Sequence, residues 1–195
     1  MIQKFEFQEL ALSGAYLIKP FFAHDHRGGF VKDYNIDTFR ANGIEHELKE
    51  VFYTLSKKGV IRAIHFQLGK QQPKLVRCIS GHVYDVIVDL RPESPTFGKW
   101  MGFDLTGENR NSLYIPGFFG HGYLVLEDSV VSYQCGEVFF AEGDSGIMYN
   151  DPRIHVQWPF EMIGGQENLI ISEKDLNLMS LDDYQLLMSR QPAGE

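Results

Sequence analysis

The chain has 195 residues, enough for one domain around a single core, and its 44% apolar and 23% charged residues are values of a folded globular protein. With 18 basic and 26 acidic residues the net charge is −8, which argues against a nucleic-acid-binding surface. No apolar run is long enough to cross a membrane, and the first residues lack the basic-then-apolar pattern of a secretion signal. A cytoplasmic protein without nucleic-acid or membrane partners is expected.

In chain order, Ile2 to Phe22 reads as two short strands parted by Gly14. Asp25-His26-Arg27-Gly28-Gly29 is turn chemistry, and a strand follows over Phe30 to Tyr34. Asn35 is placed to cap a short helix over Ile36 to Ala41, which Asn42-Gly43 closes. From Glu47 to Glu137 the pattern is almost wholly β. Its runs end at Gly59, Gly69, Ser80-Gly81, Arg91-Pro92, Gly98, Glu108-Asn109, Pro116-Gly117 and Glu127-Asp128. Turns spaced roughly ten residues apart mark an antiparallel sandwich or barrel rather than βαβ units. Ser145 to Tyr149 adds a strand, and Pro152 and Pro159 bracket irregular chain around Trp158. Ser180-Leu181-Asp182-Asp183 has capping-box spacing before a helix over Tyr184 to Met188. Cys78 and Cys135 match no metal spacing and sit inside β-like runs, which predicts buried, reduced thiols. With no repeat and no linker, residues 1–195 read as a single domain, its barrel core spanning about residues 47–160.

The most informative stretch is Gly59-Val60-Ile61-Arg62-Ala63-Ile64-His65-Phe66-Gln67. The turn Lys57-Lys58-Gly59 leads into a strand on which Ile61, Ala63, His65 and Gln67 share one face, and Arg62, Ile64 and Phe66 the other. An imidazole and an amide among apolar neighbours suit a face that lines a pocket. A lone histidine is more commonly a satisfied core residue, by about two to one, so its company decides. His121 and Tyr123 share a face of one strand, and Tyr133 falls in the next, Val130 to Cys135. An antiparallel neighbour can hold His121 and Tyr133 in one barrel mouth, with His65 arriving from another part of the barrel. Asp175 follows the barrel and has to fold back over it. If the substrate carries a diphosphate, an acidic chain must gather cations locally, and Arg27, Arg62, Lys74 and Arg77 are the candidates.

That stretch is accompanied by Asp25-His26-Arg27-Gly28, Lys74-Leu75-Val76-Arg77 and Ser94-Pro95-Thr96-Phe97-Gly98-Lys99-Trp100. Further on come Ile115-Pro116-Gly117-Phe118 with His121-Gly122, then Asn150-Asp151-Pro152 and Ser172-Glu173-Lys174-Asp175. Together, and in this order, they resemble the dTDP-4-dehydrorhamnose 3,5-epimerase family. The resemblance implies an all-β, double-stranded β-helix barrel of cupin (jelly-roll) type, with an N-terminal strand arm and short terminal helices. It implies a homodimer that inverts carbons beside the ketone of a nucleotide-linked 4-keto-6-deoxy sugar, with neither metal nor other cofactor. By the same resemblance His65 is the catalytic base, Tyr133 the acid, and Asp175 the carboxylate that orients the base. Lys74 meets the C4 oxygen, Arg27 and Arg62 lie near phosphates and sugar, and His121 is a further pocket histidine. Phe30, Lys32, Glu50, Phe52, Gln67, Phe139 and Lys174, in or beside the motifs, complete the substrate-binding set.

The chemistry suits those residue types. A C4 ketone acidifies the hydrogens on C3 and C5; removing one gives an enolate, and protonating its other face inverts the carbon. That takes a base, an acid and a cation or donor near the oxyanion. Histidine titrates near neutrality, whereas tyrosine stays protonated and can donate. On an ideal strand Arg62 and His65 have opposite parity, so both reach the pocket only if the strand bends, bulges or ends between them.

Four departures from the family pattern stand out. Lys32 replaces the Glu of Arg-Gly-x-Phe-x-Glu, and Ala63 a glycine; Glu50-Val51-Phe52 replaces a Gln-Asp-Asn run that meets the nucleotide base, and Phe139 a second tyrosine. These departures predict a substrate other than the ordinary thymidine-linked rhamnose intermediate. Three alternatives compete with this reading: a metal-dependent cupin, a non-catalytic sugar-binding barrel and an epimerase acting on one carbon only. The first lacks its ligand spacing, since Gln67 stands where His-x-His needs its second histidine. The second is at odds with retention of the His65 and Tyr133 pair.

Overall fold

Two long strands, β7 (Lys74–Asp89) and β10 (Phe119–Cys135), pair antiparallel along nearly their whole length and set the architecture. The computed structural model in which they are seen describes residues 4–190; Ile2, at the start of the first expected strand, lies outside them. The chain breaks expected at Ser80-Gly81 and Glu127-Asp128 do not end these strands. The ladder instead shifts register between Val125 and Val131, with Gly81 at φ +84°. A Cβ at Gly81 would stand 2.2 Å from the Asp128 carbonyl oxygen, so only glycine permits the close approach. Turn-forming residues here fold a strand pair over on itself. His121 and Tyr133 accordingly lie on one bent strand, not on two neighbours as expected. Their rings come within 5.7 Å, whereas a straight strand would part them by about 40 Å.

The remaining strands add antiparallel partners. β5 (Glu50–Ser56) lies against the second half of β10, and β6 (Ile61–Gln67) against its start. β8 (Trp100–Thr106) and β9 (Ser112–Ile115) pair with the two halves of β7. β1 (Glu6–Glu9) and β2 (Tyr16–Lys19) extend the sheet beyond β9, and β11 (Asp144–Gly146) extends it beyond β6. The all-β, cupin-type fold expected from the motifs is thus the fold found. β11 is shorter than the expected Ser145 to Tyr149, because Ile147 still bonds Ile64 but the chain then turns away to Met179.

The N-terminal arm is a separate two-stranded sheet, β3 (Phe21–Asp25) with β4 (Gly28–Lys32). Its turn is tighter than expected, and β4 ends at Lys32 rather than Tyr34. The Asp25 carboxylate accepts from the Arg27 backbone N–H at 2.8 Å, and Gly28 takes φ +117°, so His26 and Arg27 alone make the corner. α1 (Ile36–Ala41) starts where Asn35 Oδ1 accepts from Thr38 N–H at 2.9 Å, and buries Phe39 against Phe5, Phe7 and Tyr34. α3 (Leu181–Arg190) opens on the reciprocal Ser180–Asp183 capping box. It is longer than expected, and its first turn is tied to the barrel. Leu181 N–H donates to the buried Asp151, and the Tyr184 hydroxyl to the Leu90 carbonyl, each at 2.9 Å. Cys78 and Cys135 are buried and unpaired.

Candidate active site

The site is a cavity of about 210 Å³ whose wall is shared by β5, β6, β7 and β10. A bulge in β6 solves the parity problem. His65 lies opposite His121 and Arg62 opposite Tyr123, so three residue steps of β6 match two of β10, and both Arg62 and His65 line the cavity. Gly122 makes room for it: a Cβ there would meet the Ala63 Cβ at 2.5 Å and the Arg62 carbonyl at 2.7 Å.

Asp175 does fold back over the barrel. It sits in the four-residue helix α2 (Glu173–Leu176), whose cap Ser172 accepts from the Asp175 N–H at 3.1 Å. The carboxylate is buried, 3.0 Å from His65 Nε2, and takes the Ala63 N–H on its other oxygen. Burial would push this carboxyl up, but the bonds from His65, Ser172 and Ala63 outweigh it and hold it below the usual carboxylate value. An ionised carboxylate only accepts, so neutral His65 carries its proton on Nε2 and keeps its lone pair on Nδ1. This is the arrangement of a base.

Tyr133 is 7% exposed, with the Phe52 ring stacked on it at 4.7 Å and 12° and the His121 ring edge-on. Burial raises its phenol well above the usual value, Tyr123 and Asp85 raise it further, and Arg62 only partly opposes them. It therefore stays protonated as a donor. Lys74, at the start of β7, is buried in the cavity wall. Burial lowers its pKa against the pull of Cys135, Asp144 and Asp85, and its ammonium has no hydrogen-bond partner among the described residues.

Sequence reasoning missed Asp85. It is fully buried and sits 2.9 and 3.0 Å from His121 Nε2 through its two oxygens, forming a second imidazole–carboxylate pair. Burial raises its pKa, and His121 and Lys74 oppose that. The signal was present: one acid in the apolar run Val83 to Val88, in phase with the core residues Val83 and Ile87.

Other expected binding residues also make contacts within the chain. Gln67 borders the cavity, yet its amide donates to the Lys70 and Val138 carbonyls and accepts from Phe140 N–H, pegging the loop after β10. Glu50 accepts from Phe139 N–H at 2.9 Å and fixes the exposed Phe139 ring at the mouth. Phe52, which stands where the family has a base-contacting asparagine, is 40% exposed rather than buried and packs on Tyr133. Lys174 pairs with Asp144, and Arg77 with Asp33. Arg27, Phe30 and Lys32 are all on the arm. The first two border a separate concavity of about 640 Å³ there, with Arg27 paired to Asp25 at 2.6 Å. Among the described residues no group of three His, Cys, Asp or Glu is placed to hold a metal ion.

Residues 9–183 match the family model described as dTDP-4-dehydrorhamnose 3,5-epimerase. The protein of that name from Methanothermobacter thermautotrophicus is 45% identical over 175 residues, covering 89% of this chain and 93% of the relative. The fold superposes with TM-score 0.86 and 32% identity on the dTDP-6-deoxy-D-glucose-3,5-epimerase of Legionella pneumophila, solved with dTDP-4-keto-L-rhamnose, covering 92% of this chain and 94% of that one. A 3′-monoepimerase from Streptomyces bikiniensis, solved with dTDP-quinovose, gives 0.84 at 27% identity, covering 92% and 90%. By sequence and by fold, the chain belongs to the dTDP-4-dehydrorhamnose 3,5-epimerase family.

Proposed function

We propose that the chain inverts C3, C5 or both of a dTDP-linked 4-keto-6-deoxyhexose. His65 removes the proton beside the ketone, Lys74 stabilises the enolate oxygen, and Tyr133 protonates the opposite face. The observation that carries this reading is the His65–Asp175 pair, its carboxylate buried and its imidazole half-buried, with His65 lining the same cavity as a phenol kept protonated by burial. Acid, base and cation suffice chemically, so no cofactor is invoked. Thymidine diphosphate is preferred to the other nucleotide suggested by Lys32, Val51 and Phe52. Val51 is exposed and Phe52 packs on Tyr133, which removes much of the ground for that suggestion. The relatives whose bound nucleotide is named carry dTDP. Turnover of 4-keto-6-deoxyglucose carried on dTDP, CDP, GDP and UDP in D2O tests this directly. The dTDP substrate should give the highest kcat/KM, with deuterium appearing at the inverted carbons; a clear preference for another nucleotide would overturn the assignment. Deuterium at C3 alone would select the one-carbon reading, which Phe139 in place of a tyrosine favours.

The same reading makes the chain a single-domain, cytoplasmic homodimer. Arg27, Phe30 and Lys32 stand away from their own chain's cavity on an arm whose Phe22 and Phe30 are exposed, which suits docking onto a second copy. Sedimentation should show a dimer at micromolar concentration. A stable monomer there would rule out an arm-exchanged assembly.

A further inference from the structure

The inner face of β5 carries Phe52, Thr54 and Ser56 in alternation, and two of the three are tied to residues with assigned roles. Phe52 stacks on the acid Tyr133, and Ser56 accepts from Arg62 Nε at 3.2 Å. Thr54 stands between them, half-buried, and borders the cavity together with Phe52, Arg62 and Tyr133, yet the proposed reaction makes no use of it. Its Oγ1 lies 2.8 Å from the hydroxyl of Tyr123, whose side chain is fully buried. A threonine hydroxyl has one donor and two acceptor positions, so this bond leaves capacity free on the cavity side. Burial decides its kind. A phenol shut away from solvent must place its proton on an acceptor, and Thr54 Oγ1 stands at hydrogen-bond distance. Thr54 therefore accepts from Tyr123, and its own proton is turned to the cavity.

We propose that Thr54 is a substrate-binding residue whose hydroxyl donates a hydrogen bond to an oxygen of the bound sugar nucleotide. Arg62, held through Nε by Ser56, brings a cation to the same stretch of wall. An acceptor oxygen there meets a neutral donor and a positive charge together. Two parts of the ligand carry such an oxygen, the diphosphate and the sugar.

The inference rests on the sugar-nucleotide reading, and equilibrium titration with dTDP and with dTDP-glucose, which lacks the ketone and cannot react, tests both. Wild type should bind each ligand; binding of neither overturns that reading and the inference with it. Thr54→Val keeps the shape of the side chain and removes its donor. It should weaken binding about tenfold, and Thr54→Ser should restore most of the loss. A loss shared by the two ligands assigns the contact to the diphosphate, and a loss confined to dTDP-glucose assigns it to the sugar. Thr54→Val also strands the buried Tyr123 phenol, so Tm without ligand should fall, and removing both hydroxyls in Thr54→Val/Tyr123→Phe should recover most of it. Ligand binding should not recover with it: the tenfold deficit should persist in the double variant. If binding returns together with Tm, Thr54 serves only to satisfy Tyr123, and the inference fails. It fails equally if Thr54→Val binds both ligands as tightly as wild type, and the sugar-nucleotide reading then stands without it.

Discussion

Replacing His65 by Asn is expected to lower both solvent exchange and inversion by about 10³-fold or more, with the fold intact. The amide matches the shape of the ring near Cβ and can still meet Asp175, but has no lone pair basic enough to take a proton from carbon. Asp175→Asn should cost about 10²-fold or more in kcat with a smaller change in KM. An amide in that place can donate, letting Nε2 keep its lone pair and moving the ring proton to Nδ1, where the base is needed. Deuterium uptake from D2O, followed by NMR or mass spectrometry, reads both variants. If His65→Asn exchanges at the wild-type rate, another group is the base. The pair also has a pH signature. Asp175 titrates lower when folded, so its stabilising contribution is complete above about 3.8 and is lost as pH falls through the depressed native value. Acid unfolding of Asp175→Asn should therefore be the less steep of the two proteins.

Tyr133→Phe is expected to separate two events that the wild type completes together. His65 and Asp175 are untouched, so the enolate still forms and deuterium still enters, delivered back to the face from which the proton left. Inversion should fall by about 10²–10⁴-fold. The Phe52 stack and the His121 contact need only the ring, so stability should change little. Full inversion in this variant would place the acid elsewhere, and loss of exchange together with inversion would mean that the hydroxyl supports enolate formation instead.

How much of this could be read from the residues depends on the range of the physics involved. The Asn35 cap and the Ser180–Asp183 box are local, and both helices start where those residues place them. Alternation along β6 singled out His65 and also exposed the conflict with Arg62, which a bulge resolves. What stayed hidden were events set by a partner strand. Ser80-Gly81 and Glu127-Asp128 have the chemistry of turns, but each lies opposite the other, so the pair bends without ending. That the Gln67 amide also holds the loop after β10 was not legible before that loop was seen to close on it. Asp85 reads as a flaw in an apolar strand until the His121 imidazole is seen bonded to it.

The sugar-nucleotide epimerase also joins its base to its orienting carboxylate across 110 residues, through a helix of only four. So short a helix has little stability of its own, and closing a loop of that length is entropically costly, so α2 exists only when docked. The barrel can complete its strand ladders while the His65 ring still lacks the partner that fixes its proton. A chain still emerging, or cut before residue 172, would carry the cavity, the phenol and the lysine but no oriented base. The last eighth of the polypeptide thus acts as a safety catch, joining competence for proton abstraction to completion of the fold.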